Sequence, residues 1–246
     1  MRLVSLCPSI TESLIALGLR DELVGVTRYC IRPAEAVRGM TRVGGTKNPD
    51  LASIRALAPD LVFLNSEENR REDAEAIAAE FPIDVSMPRR ASEIPGLLRH
   101  FGRKTGRVGE GESWAARIEA VLDRLPRDPE PFRYVYLIWK EPFMTIGDET
   151  YIADLLRLAG GINALGGRGR DYPAVTEAEI LDAAPEILFL PDEPYRFKAG
   201  DRSFWSQRLP ATGVRLVSGE DFSWHGVRTL NGLEAVEELV RTGSPK

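Results

Sequence analysis

Cysteine and histidine are scarce in this chain of 246 residues, with two of each. Cys7 and Cys30 form no Cys-x-x-Cys pair and His100 and His225 no close pair, so neither a disulfide framework nor a pre-set zinc site is written into the sequence. Positive charge is not in excess either: the net charge is −5 and the basic residues are scattered, which argues against nucleic acid as a partner. Long apolar runs are missing, so no segment is fit to span a membrane. A phosphate-cradling loop or dinucleotide fingerprint is also missing, because Gly44-Gly45 and Gly160-Gly161 are isolated pairs.

What is present is a globular composition, 43% apolar and 28% charged, and one phrase written twice. Residues 51–67 and 177–193 align with Pro59 on Pro185, sharing Ala52/Ala178, Ile54/Ile180, Ala58/Ala184, Phe63/Phe189, Leu64/Leu190 and Glu67/Glu193. Each copy predicts a short amphipathic helix stopped by proline, then a continuous apolar run that reads as a strand buried on both faces. A parallel α/β sheet gathers its binding groups at the carboxyl ends of its strands. Glu67 and Glu193 therefore lie in equivalent loops, and two such lobes facing one another would make a cleft.

The first lobe is expected to open with a strand at Leu3–Leu6 and a helix from Ser9, with Ser9 and Glu12 as a capping box. Strands follow at Leu23–Val26, Leu61–Leu64 and Ile83–Val85, with Asn48 or Asp50 capping the first repeat helix. From Ala91 to Leu125 the apolar spacing is helical, and Gly102, Gly106, Gly109 and Gly111 predict a break in its middle. A proline-rich joint at Pro126–Pro131 leads to strand Arg133–Leu137, a loop from Trp139 to Gly147 and helix Tyr151–Ala159. A repeat helix capped by Thr176 with Glu179, strands Ile187–Leu190 and Val214–Leu216, and helix Thr229–Val240 complete the plan. The expected domains are an N-terminal α/β lobe over 1–90, a helical connector over 91–126 and a C-terminal α/β lobe over 127–246.

This order of phrases resembles the helical-backbone solute-binding proteins of ABC transporters, the vitamin B12, ferric-siderophore, haem and metal receptor class. The matching words are Ser5-Leu-Cys-Pro-Ser-Ile-Thr-Glu12, Val24-Gly-Val-Thr27 through Tyr29 and Pro33, Val43-Gly44, and Asn48 to Val62. In the second half they are Thr145-Ile-Gly147, Asp154 through Gly160-Gly161-Ile-Asn163, Tyr172-Pro-Ala-Val-Thr176 and Ala184-Pro-Glu-Ile-Leu188. The resemblance implies two Rossmann-like lobes with central parallel sheets, a long connector helix and a ligand held in the cleft. It also implies a monomer that requires no cofactor, transforms nothing, and holds a corrinoid, a ferric chelate or a metal ion as cargo. An ABC permease would be the partner, yet the docking glutamates of the class stand here as Ala52 and Ala178. No apolar leader follows Met1, so a chain starting there is expected in the cytoplasm, and one trimmed from a precursor in the periplasm or another extracytoplasmic space.

Strand ends nominate the ligand-binding residues. In the first lobe they are Pro8, Tyr29, Cys30, Thr46, Lys47, Asn48, Glu67 and Glu68, and in the second Trp139, Glu141, Tyr172, Glu193, Trp224, His225 and Arg228. Tyr29, Trp139, Tyr172 and Trp224 offer flat apolar faces, and Lys47 and Arg228 offer anchors for acidic groups. A metal reading gathers Cys30 and His225 with one or more of Glu67, Glu68, Glu141 and Glu193, mixed donors from separated loops. Trp114, Trp205 and His100 are assigned to packing or surface. Two alternatives stand beside import: a cytoplasmic binding or sensing protein without a transporter, and a hydrolase or transferase using Cys7 as nucleophile with His225 as base.

Overall fold

The computed structural model describes residues 1–242; residues 243–246 of the expected C-terminal lobe lie outside the described residues. It is an α/β protein that divides into two compact units. Met1–Pro88, Ser92–Glu119 and His225–Arg228 make up the first, and Arg89–Ala91, Ala120–Trp224 and the chain from Thr229 the second.

The first unit contains β1 (Leu3–Ser5), α1 (Pro8–Ala16), β2 (Leu23–Val26), α2 (Ala34–Val37), α3 (Leu51–Leu57), β3 (Leu61–Asn65), α4 (Arg71–Ala78) and β4 (Ile83–Ser86). Its four strands run parallel in the order β2-β1-β3-β4. The continuous apolar runs are buried on both faces. Leu3 and Phe63 pack with Ile10, Leu14 and Phe101 on one side, and Val4, Val62 and Leu64 pack with Ile54 and Ile77 on the other. Phe63 meets Phe101 edge to face at 5.3 Å.

The helical stretch is two helices, α5 (Ile94–Thr105) and α6 (Val108–Leu122), and not one long rod. Gly106 ends α5 in the left-handed conformation (φ 74°). Gly102 and Gly111 sit where the two helices come closest: a Cβ on Gly102 would lie 2.6 Å from the Arg107 carbonyl oxygen, and one on Gly111 2.8 Å from that of Leu98. Arg99 holds both Glu112 and Glu119 across this contact.

The second unit contains β5 (Phe132–Trp139), β6 (Phe143–Thr145), α7 (Tyr151–Leu158), β7 (Gly161–Asn163), β8 (Ala174–Val175), α8 (Glu177–Ala183) and β9 (Ile187–Pro191). It continues through α9 (Ala199–Arg208), β10 (Gly213–Val217), α10 (Gly219–Ser223) and α11 (Thr229–Thr242). Its sheet has the expected parallel centre and is mixed on one side. β10, β9 and β7 run parallel to β5, while β6, from the segment read as a loop, pairs antiparallel with β5, and β8 pairs antiparallel with β6. One face packs Val135, Leu137, Leu188 and Leu190 on Trp205, and the other stacks Tyr134, Tyr136, Phe189 and Phe222.

The repeat survives at backbone level. Asp50 caps α3 by accepting from the Ala52 and Ser53 amides, and Thr176 with Glu179 forms the expected capping box on α8. Both helices end on an alanine in the left-handed region, Ala58 at φ 42° and Ala184 at φ 41°. Among the described residues no helix is long and apolar enough to cross a membrane.

Candidate functional site

In the first unit the carboxyl ends of β1 and β3 and the loop before α3 are tied together by asparagines. The Asn69 side-chain amide donates to the carbonyls of Leu6 (3.1 Å) and Thr46 (2.9 Å), and its Oδ1 accepts from the Asn65 amide. Asn65 Oδ1 accepts from the backbone amides of Glu67 and Glu68, which fixes its Nδ2 as the donor facing His225 Nε2 at 3.0 Å. On this frame sits a polar rim. Tyr29 is half exposed, Arg28 lies 5.1 Å from its ring centroid and reaches Asn48 Oδ1 at 3.2 Å, and Lys47 Nζ donates to the Glu67 carbonyl. Burial pushes the Glu68 carboxyl up, with Glu67 adding to it and Lys47 opposing, although the residue as a whole keeps a face to solvent.

The second unit presents Trp139 at the end of β5, 41% exposed, its ring 5.7 Å from Tyr195, which in turn meets Phe197 at 4.7 Å. Glu141, exposed and at φ 68°, stands in the turn between β5 and β6. Glu193 follows β9 against Gly219, where a Cβ would fall 2.3 Å from the Glu193 carbonyl oxygen, so only glycine fits there. Tyr172 is half-buried just before β8.

Several nominated residues have structural work instead. Pro8 is buried as the first residue of α1, and Trp224 is buried at the end of α10. Arg228 forks onto Glu12, with Nε to Oε2 at 2.7 Å, so it is engaged and is no open anchor for an acidic ligand. Ser9 does not cap α1, because Pro8 occupies the first helical position and Cys7 becomes the cap; the Ser9 hydroxyl instead contacts His225 Nε2 at 3.2 Å. His225 is therefore buried in the first unit and not in an open loop mouth.

The metal grouping is not assembled. Among the described residues no three His, Cys, Asp or Glu side chains gather as a metal site. Cys30 Sγ takes a hydrogen bond from Thr11 at 3.0 Å and pairs with Thr27 at 3.2 Å, and His225 Nε2 is occupied as described. Cys7, Ser9 and His225 do form a hydrogen-bonded chain, with Cys7 Sγ to Ser9 Oγ at 3.3 Å. Burial pushes the Cys7 thiol up to about 12, so the thiolate a nucleophile needs is not populated at neutral pH. Trp205 and Trp114 pack as expected, and His100 bonds Asp84 at 2.7 Å. Asn65, Arg28 and Arg42 escaped the sequence reading, because lone polar residues beside Gly-rich loops carry no periodic signal.

Each of the two α/β units thus carries an aromatic and polar rim at its strand ends, Tyr29 with Lys47 and Asn48 in the first and Trp139 with Glu141 and Glu193 in the second. The chain belongs to the periplasmic binding protein family, whose model matches residues 3–209, and is a solute-binding protein of the ABC-transporter class. It is 26% identical over 245 residues to the vitamin B12-binding protein of Vibrio parahaemolyticus, covering 97% of this chain and 87% of the relative. The crystal structure of the periplasmic vitamin B12 binding protein BtuF of Vibrio cholerae superposes with a TM-score of 0.85 at 24% identity, covering 98% of this chain and 96% of that one. The periplasmic heme-binding protein RhuT from Roseiflexus gives 0.82 at 22% identity, with 98% of each chain covered. These structures share the fold.

Proposed function

We propose that the protein captures a corrinoid, cobalamin first among them, for an ABC importer. The observation that carries the reading is the exposed ring at the strand ends of each unit, Tyr29 in one and Trp139 in the other, in a protein whose large side chains are otherwise mostly buried. A corrinoid offers a broad apolar disc edged with amides, and the rims offer flat faces beside Lys47, Asn48, Glu67, Glu68, Glu141 and Glu193. Cobalt in cobalamin brings its own axial ligands, which suits a chain whose two histidines are engaged through Nε2, His225 with Asn65 and His100 with Asp84. The vitamin B12-binding names of the relatives that match along nearly the whole chain point the same way.

A haem-type chelate is the second reading, favoured by one feature: the half-exposed Tyr29 carries a phenol, the type of oxygen donor that ligates haem iron. The partner implied is an ABC permease, and the protein is taken to work outside the cytoplasm, as relatives named periplasmic do. A permease would meet the exposed methyl groups of Ala52 and Ala178 in the first turns of α3 and α8, where the neighbouring Glu177 and Glu179 are already paired with Arg208 and Arg168.

Equilibrium dialysis against cyanocobalamin and hemin tests the ligand. One equivalent of cyanocobalamin is expected to be retained, with Tyr29→Ala and Trp139→Ala each weakening retention by about tenfold, the loss of one aromatic contact. Hemin retained with a Soret shift that vanishes in Tyr29→Phe would install the second reading. Retention of neither would remove both ligand classes.

A further inference from the structure

The turn that carries Tyr29 is closed by the Cys30 amide donating to the Thr27 carbonyl at 3.2 Å and tied to Gly44 through the Arg28 amide, and one side chain braces it from outside. Arg42 Nη1 donates to the carbonyl oxygens of Thr27 (2.9 Å) and Cys30 (2.8 Å), and its Nη2 donates to that of Val37 (3.2 Å). Its backbone is fixed beside the end of β2, where Val26 bridges Arg42 and the Val43 amide donates to the Val26 carbonyl at 2.9 Å. The guanidinium thus spans both ends of the turn Thr27–Cys30 and the end of α2 at once. Tyr29 and Arg28 are the two exposed residues inside that turn, and little else fixes the Tyr29 ring: the Arg28 guanidinium on one side, and the backbone of Gly45, where a Cβ would lie 3.2 Å from Tyr29 Cε2.

We propose that Arg42 is a positioning residue for ligand recognition, holding the Thr27–Cys30 turn so that the Tyr29 ring is set before the ligand arrives. The proposal rests on the reading of Tyr29 as a ligand contact. All three acceptors are main-chain carbonyls on separate residues, and only a planar fork with several donors reaches them together; a lysine ammonium replaces at most part of the set. Freed of Arg42, the Cys30 carbonyl turns to water, the Thr27 carbonyl keeps only the Cys30 amide, and the loosened turn lets the exposed ring sample several orientations. The ligand must then select one of them, which lowers affinity without removing a contact.

The test uses the full-length protein labelled with 3-fluorotyrosine. There are six tyrosines, and the Tyr29 fluorine resonance is assigned by its loss in Tyr29→Phe. In the ligand-free protein, Arg42→Gln is expected to shift and narrow the Tyr29 resonance while the other tyrosine resonances hold still. Arg42→Lys, the gentler change should the glutamine variant unfold, gives an intermediate shift. An unmoved Tyr29 resonance in a folded variant overturns the proposal whatever the ligand is. A second arm measures cyanocobalamin retention in a double-mutant cycle: Arg42→Gln costs about tenfold beside native Tyr29 and less than about twofold beside Tyr29→Ala. Equal losses in both backgrounds would overturn the proposal. If the unaltered protein retains no cyanocobalamin, the ligand reading falls, and the fluorine spectrum still decides whether Arg42 sets Tyr29.

Discussion

His225 shows how one buried proton site shapes the stability of this protein. Its Nε2 accepts from Asn65, so in the neutral ring Nδ1 carries the proton, and that atom is buried without a protein partner. Burial lowers the imidazole from its ordinary 6.5 to about 4. The folded state therefore keeps His225 neutral while the unfolded chain takes up a proton below 6.5. Stability from this group is full above pH 6.5, falls as the pH drops towards 4, and levels off below that. The span from 6.5 to about 4 corresponds to roughly 3 kcal/mol. Urea unfolding of the native protein and of His225→Gln between pH 7.5 and 4 checks this. The difference between the two curves is expected to close as the pH falls, and a constant difference would refute the linkage.

At the scale of elements the repeat makes a matched pair of experiments. Ala58 and Ala184 close α3 and α8 in the left-handed region, where a Cβ costs about 1 kcal/mol. Glycine relieves that strain and returns part of the gain through a freer unfolded chain, so Ala58→Gly and Ala184→Gly are each expected to stabilise by about 0.5 kcal/mol. The two lie in different units and should add; thermal melts of the singles and the double variant read this directly, and a loss of stability in either would contradict it.

The strands and helices with long apolar runs were legible in the sequence because burial writes itself as periodicity: β3, β9, α7 and α11 lie within a residue or two of where the pattern puts them. β6 and β8 were not, since two or three residues carry no period and their pairing depends on distant partners. The Ser9 cap failed for a nameable reason, Pro8 at the first helical position. Of the candidate site, Tyr29 and Trp139 were legible as aromatic residues at strand ends. Trp224, Arg228 and His225 were misplaced because a Gly-flanked aromatic segment looks like an open loop even when it is packed. Arg42 left no signal at all, because donating to three carbonyls is a property of three-dimensional placement.

At the scale of the molecule, the two units are not two consecutive pieces of chain. His225–Arg228 belongs to the first unit, where Val227 N donates to Ser13 Oγ and Gly226 packs where a Cβ would lie 2.0 Å from that same oxygen. A fragment of residues 1–119 would leave Glu12, 12% exposed, without Arg228, and Ser9 and Asn65 without His225. The fragment is expected to lack a cooperative melt and dispersed near-ultraviolet signals, and a cooperatively folding fragment would show that the segment is dispensable.

The same four residues set a schedule for synthesis. A ribosome releases the strands of the first unit early, but the segment that completes that unit emerges after nearly all of the second has been made. Elongation at roughly 5–20 residues per second leaves the first unit unfinished for several seconds, its Glu12 and Asn65 open to water and to other chains. If the fragment lacks a cooperative melt as expected, the amino-terminal half completes its folding only near the end of translation, and until then it remains open to whatever acts on unfolded chains.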